Sequence, residues 1–151
     1  MKKLTLLCLL ISFLGTMTTA QTTAEDSVKA IIVQFFNSMK TGDTTAIRAV
    51  FTEGTIFQTI VRTKDGATAV KTEAVDDFLK VVAKENGNLD ERITFGQILV
   101  DGALASVWTP YSFFYKETFA HCGVNSFQMV KINGNWRIQY LIDTRRKKGC
   151  E

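Results

Sequence analysis

Apolar residues in the first half of the chain recur at helical spacing. In "TAEDSVKAIIVQFFNSMKTGD", Val28, Ile31, Ile32, Phe35, Phe36 and Met39 fall at i, i+3, i+4, i+7, i+8 and i+11, which places them on one stripe of a helix. Thr23 followed by Asp26 has the form of a capping box, and Gly42 supplies a stop. A second, short helix is predicted next, capped by Asp43 or Thr44 and burying Ala46, Ile47, Val50 and Phe51. A third spans Glu73 to Lys84, with Thr72 as its cap and Asn86-Gly87-Asn88 closing it. Val75, Phe78, Leu79, Val82 and Ala83 repeat the stripe there. Between the second and third helices, "TIFQTIVRT" is rich in β-branched residues and ends near Asp65-Gly66, the pattern of a strand and turn.

From Glu91 onward the period changes to two. "ERITFGQILV", "ALASVWTPYSFFY", "TFAHCGVNSFQMVKI" and "NWRIQYLIDT" are separated by Asp101-Gly102, Lys116-Glu117 and Asn133-Gly134. Asp-Gly and Asn-Gly tolerate the positive φ of tight hairpin turns, so four long antiparallel strands in a meander are predicted. Centring the last two turns sets His121 opposite Ser112, Asn125 opposite Trp108 and Ile142, and Phe127 opposite Tyr140. Phe95, Leu99, Leu104, Trp108, Phe127, Met129, Trp136, Ile138, Tyr140 and Ile142 then share the face expected to meet the helices. Ala105, Thr109, Tyr111, Cys122, Val124, Ser126, Gln128, Gln139, Asp143 and Arg145 fall on the other. Pro110 is the one place where a local bulge is expected.

The first 20 residues stand apart from this pattern. Lys2 and Lys3 precede the apolar run "LTLLCLLISFLG", and "TMTTAQ" supplies a small-residue site. This is the layout of a secretory signal peptide, with cleavage expected after Ala20; the run is short for the roughly 20 apolar residues of a membrane span. The expected organisation is therefore a leader at 1–20 and one domain at 21–151, with export to the periplasm or medium and no stable membrane association after cleavage. Cys8 leaves with the leader. Losing Lys2 and Lys3 takes the 18 basic residues to 16 against 15 acidic ones, a net charge of +1. That balance points away from nucleic acid, and the basic tail "TRRKKG" reads as solvated charge.

The order of elements, α-α-β-(β)-α-β-β-β-β with a strongly curved sheet, resembles the nuclear transport factor 2-like superfamily over essentially the whole mature chain. The stretch "VWTPYSFFYKETFAHCGVNSFQMVKINGNWRIQYLIDTRRKKGC" is similar to secreted bacterial members described as lumazine-binding, and "GNWRI" on the last strand is typical of the wider group. The resemblance implies an α+β cone in which three N-terminal helices pack on a curved, mostly antiparallel sheet around a pocket. It also implies a homodimer through the outer sheet face. It does not imply a reaction, because one fold carries many.

Candidate chemistry is sparse. His121 is the single histidine and is expected on the inner face, as an acid/base group or a polar anchor at the pocket mouth. A metal site is not expected, since zinc needs three or four ligands close together, and no cofactor is indicated. A His121–Cys122 dyad is poor geometry because neighbouring strand residues point to opposite faces. Cys122 is expected outside, with Arg145 opposite it and Cys150 five residues further along. A Cys122–Cys150 disulfide would close a loop of about 28 residues, worth on the order of 3 kcal/mol, and export favours it. Trp108, Phe127 and Tyr140, with Ser106 and Asn125 among them, are candidates to line a pocket for a small apolar or aromatic ligand, or else to serve as core. Asp143 with Arg145 reads as an outer-face charge pair. The base and acidic donor of ketosteroid isomerase have no match beyond Glu91, which lies at the start of its strand. The expected function is small-molecule binding. The alternatives are an isomerase, dehydratase or hydrolase using His121, or a dimeric interaction module with a vestigial pocket.

Overall fold

The computed structural model describes residues 23–150; the leader expected at 1–20 lies outside the described residues. The elements are α1 (Ala24–Thr41), α2 (Thr44–Val50), β1 (Phe51–Arg62), β2 (Thr68–Glu73), α3 (Val75–Lys84), β3 (Leu89–Ile93), β4 (Ile98–Asp101), β5 (Leu104–Tyr115), β6 (Thr118–Ile132) and β7 (Asn135–Arg146). One sheet runs in the order β2-β1-β7-β6-β5-β3, with β4 also paired to β5; β1 and β7 are parallel and every other pair is antiparallel. Three helices lie on its concave side, giving an α+β cone.

The helix starts follow their local chemistry. The Thr23 side chain accepts from the Asp26 N–H and the Asp43 side chain from the Ala46 N–H, so each satisfies an otherwise orphaned donor. Gly42 ends α1 in the left-handed region at φ 73°. Val28, Ile32, Phe35, Phe36 and Met39 of α1, with Ile47 and Val50 of α2, are buried in the main core. The third helix starts two residues later than its periodicity suggests. Thr68–Glu73 pairs with β1 as a strand instead, and Ala74 caps the helix without a side-chain hydrogen bond.

The sheet departs from the expected meander at three irregularities. The strand expected from "ERITFGQILV" is two strands, β3 and β4, separated at Thr94–Gln97. Their pairing with β5 steps from Ile93↔Tyr111 to Ile98↔Val107. In between, the Trp108 carbonyl accepts from Gly96 N–H at 2.9 Å and the Trp108 N–H donates to the Gln97 carbonyl at 3.0 Å, so one extra residue makes the break a bulge. Pro110, where a bulge was expected, stays in register with Val124. The other two irregularities are bulges as well. Between β5 and β6 the pairing steps from Phe114↔Phe119 to Phe113↔His121, leaving Ala120 as the extra residue. Between β6 and β7 it steps from Met129↔Ile138 to Gln128↔Tyr140, leaving Gln139 extra.

Because the side-chain period in a strand is two, each bulge exchanges the faces beyond it. Asn125 therefore faces Thr109 and Asp143, not Trp108 and Ile142; Phe127 faces Leu141, not Tyr140; and His121 faces Phe113, not Ser112. Phe127, Met129, Trp136 and Ile138 are buried inside as expected. Leu99, Leu104 and Trp108 are not; they stand on the convex side, 56 %, 50 % and 49 % exposed. Ala105, Thr109, Tyr111 and Asp143, expected outside, are buried on the concave side.

Cys122 projects from the convex face and is bonded to Cys150 across a sequence separation of 28 residues. Its strand partner is Arg146, one position beyond the expected Arg145. The disulfide ties the end of the chain to the middle of β6.

Candidate functional site

A cavity of ≈ 200 Å³ opens between the helices and the far ends of β3, β5, β6 and β7. Its apolar side comes from α1 and α3: Phe35, Phe36 and Met39 meet Phe78 and Val81, with Phe57 and Leu141 from the sheet. The rings form a continuous set, with centroid separations of 4.9 Å for Phe57–Phe78, 6.1 Å for Phe35–Phe78 and 4.8 Å for Phe35–Phe36. Its polar side comes from the sheet: Glu91, His121, Asn125, Asp143 and Arg145, with Glu73 at the edge.

Two hydrogen-bonded units build that polar side. In the first, Asn125 Nδ2 donates to Glu91 Oε1 at 2.7 Å. Asn125 is buried on β6, so the bond satisfies an amide that would otherwise be orphaned. In the second, Asp143 Oδ2 accepts from Arg145 Nε at 2.8 Å and from the Tyr111 hydroxyl at 3.2 Å, and that hydroxyl also donates to the Thr144 carbonyl at 2.9 Å. Tyr111 reaches across β6 to do this, and Gly123 is what permits it. A Cβ on Gly123 would lie 1.8 Å from the Thr144 oxygen and 2.8 Å from Tyr111 Cε1, so no side chain fits there.

The electrostatics follow from burial. Loss of water around Glu91 pushes its carboxyl up to about 7; the Asn125 hydrogen bond opposes this and the Asp143 charge adds to it. Burial also raises the Tyr111 hydroxyl, with Glu91 and Asp143 reinforcing it. Burial, and then the nearby Arg145 cation, holds the His121 imidazole below its ordinary value. Burial pulls the Arg145 guanidinium down, but the charge and hydrogen bond of Asp143 outweigh that and hold it above its usual range.

His121 faces the cavity between two rings, with centroids 4.8 Å from Phe113 and 5.7 Å from Tyr111. Asn125 and Phe127 are also inside, Asn125 in the cavity wall and Phe127 in the core below it. The structure does not bring the other three sequence candidates to this cavity. Trp108 is on the convex face. Ser106 is there too, donating to Gln128 Oε1 at 2.6 Å, and Tyr140 donates to Gln58 Oε1 at 2.8 Å beside the exposed Ile56. The bulges at Ala120 and Gln139 account for all three, and for the arrival of Asp143, Arg145 and Tyr111. An isolated glycine inside a strand pattern marks a bulge or a close approach, so Gly123 is the sequence signal that could have revealed this crossing. Among the described residues no group of three or more His, Cys, Asp or Glu side chains is placed to hold a metal ion.

Comparison with known proteins bears on the fold. No protein-family model matches the sequence, and no curated protein matches it. Solved structures do match. A nuclear transport factor 2-like protein of unknown function from Shewanella baltica OS155 superposes with a TM-score of 0.67 at 14 % identity, over 85 % of this chain and 100 % of that one. A cystatin-like domain of unknown function from Nostoc punctiforme PCC 73102 does so with a TM-score of 0.64 at 14 % identity, over 86 % and 82 %. Rv3472(D26N) from Mycobacterium tuberculosis, also of unknown function, gives 0.58 at 18 % identity over 80 % and 70 %. This chain therefore has the nuclear transport factor 2-like, cystatin-like fold.

Proposed function

We propose that the protein is an exported small-molecule binder whose ligand occupies the cone cavity. The observation that carries this reading is the division of that one cavity into an aromatic side and a hydrogen-bonded, titratable side. Ligand sites are commonly built this way, with apolar walls for affinity and a few polar groups for orientation. The ligand it suits has an apolar or aromatic body and a polar head. Native mass spectrometry of protein taken from its own envelope tests this directly. A co-purified small molecule, lost in a Leu141→Trp variant that fills the cavity, is the expected result. A bare protein mass, together with no thermal shift against a library of aromatic compounds, would contradict it.

A proton-transfer enzyme is the second reading, and the Glu91 carboxyl near 7 favours it, because a catalytic acid or base works best near the ambient pH. In that reading Glu91 exchanges the proton, and His121, neutral at pH 7, supplies a hydrogen bond. Solvent-deuterium exchange into carbonyl compounds, abolished by Glu91→Gln, separates enzyme from binder.

Export rests on the leader pattern and is supported by the Cys122–Cys150 disulfide. N-terminal sequencing of the protein outside the cytoplasm is expected to begin at Gln21. A homodimer through the convex face is supported by the exposure of Leu99, Leu104 and Trp108 there; sedimentation of wild type against Trp108→Glu tests it.

A further inference from the structure

The charges around the cavity do not balance. Glu73, Glu91 and Asp143 are acidic and Arg145 is the basic group among the lining residues. Arg145 is already committed, since its Nε donates to Asp143 at 2.8 Å, and that pair cancels locally. Glu91 has a neutral partner, Asn125. Among the described residues no lysine or arginine bridges Glu91. Arg145 favours the ionised form of Glu91 only through space and after Asp143 has opposed it, so the part-buried carboxylate lacks a bonded counter-charge, which is costly. The opposite wall presents aromatic rings, whose faces attract cations. Phe113, which lies directly across β3–β5 from Glu91, extends that aromatic surface to the carboxyl.

We propose that the cavity takes a small amphipathic cation, its ammonium-type head seated against Glu91 and its apolar or aromatic body lying among Phe35, Phe57 and Phe78. This rests on reading the cavity as a ligand site. An anionic ligand suits it less well. The guanidinium that would receive the anion belongs to Asp143, and Glu91 and Glu73 share the same space.

Every element around Glu91 fits the same assignment. β7 contributes Asp143 and Arg145, which cancel. β6 contributes Asn125 and His121, whose imidazole is held below its ordinary value by burial, β5 contributes Phe113 and Tyr111, whose hydroxyl is raised by burial, and β2 the acidic Glu73. α1 and α3 line the cavity with apolar side chains. The Lys40 ammonium at the end of α1 is engaged 3.1 Å from Asp90. A cation on Glu91 therefore stabilises its ionised form, and binding expels a proton wherever the free protein holds one there. Affinity for the cation should rise about tenfold per pH unit below the Glu91 value and level off above it.

The experiment is calorimetry of the purified protein with three probes that share one body: 2-phenylethylamine, 2-phenylethanol and phenylacetate, from pH 5.5 to 8.5. The amine is expected to bind at least tenfold tighter than the alcohol at pH 8, with the preference shrinking toward pH 5.5. Titration in buffers of different ionisation heat should show proton release on amine binding at pH 6. Glu91→Gln, which keeps the Asn125 hydrogen bond, should erase both the preference for the amine over the alcohol and the proton release. If the alcohol matches the amine at every pH, or phenylacetate binds best, the cation assignment is wrong and the ligand-site reading stands. If none of the three binds, both fall.

Discussion

The concave face of the sheet has two ends made by the same two strands, β6 and β7. At one end Phe127, Met129, Trp136 and Ile138 form a dry core beneath α1 and α2. At the other, the same strands present Asn125, His121, Asp143 and Arg145 to a cavity. The Gln139 bulge separates the two on β7: before it Trp136 and Ile138 point inward, beyond it Leu141, Asp143 and Arg145 do. One extra residue converts what would be a polar outer edge into a polar inner wall. Burial of apolar surface holds the first end together; the second is held by hydrogen bonds, a disulfide and one glycine.

That contrast orders the expected effects. Phe127→Ala strikes the dry end, where the ring meets Phe35 and Phe36 at 6.3 and 6.1 Å. It should cost about 3–5 kcal/mol in urea unfolding; a cost under about 1 kcal/mol would mean that this end is not the core. Cys150→Ser comes next. Freeing the chain end that follows Arg146 should lower stability by roughly 3 kcal/mol and speed amide exchange in β7 beyond Asp143 more than in Trp136–Ile138. Uniform acceleration would remove the distinction between the ends.

Gly123→Ala sharpens the comparison at the polar end alone. The added methyl meets the Thr144 carbonyl and displaces Tyr111, at a cost of about 1–3 kcal/mol. Tyr111→Phe in the same background should then cost little more, because the hydroxyl has already lost its partners. Full additivity of the two changes would show that Gly123 does not support the crossing. Trp108→Ser is the smallest. A side chain standing on the convex face should change monomer stability by less than about 0.5 kcal/mol. A loss of several kcal/mol would restore the register in which Trp108 points inward.

Much of this architecture could be read from local chemistry. Thr23, Gly42 and Asp43 mark α1 and α2 because caps act within a few residues. The turns at Lys116-Glu117 and Asn133-Gly134 form where expected, with φ of 49° and 63° in the first and 50° and 80° in the second. The Cys122–Cys150 pairing followed from strand polarity and a short tail. The site was harder to see. A bulge residue such as Ala120 or Gln139 carries no distinctive composition, and each one inverts every assignment beyond it. Asp143 and Arg145 fell outside because centring the Asn133-Gly134 turn without the Gln139 bulge puts them there. Their partners, Tyr111 through Gly123, are 20 to 34 residues away in sequence, so no local pattern joins them. Glu91 was visible on the inner face, but its importance depends on the Asn125 hydrogen bond and on its partial burial in the cavity wall, both tertiary properties.

The central claim is that the polar end keeps a carboxyl near neutrality inside the cone. Glu91 is expected to ionise at about 7, well above its ordinary value of 4.5. Because its folded value is raised, its contribution to stability is complete below about pH 4.5 and is lost as pH rises through 7, by roughly 3 kcal/mol at most. The direct measurement is a carbon-13 NMR titration of the Glu91 side-chain carboxyl, assigned by its absence in Glu91→Gln. A midpoint near 7 that falls when the amine probe is bound is the predicted result; a midpoint near 4.5, unmoved by the probe, would contradict the account.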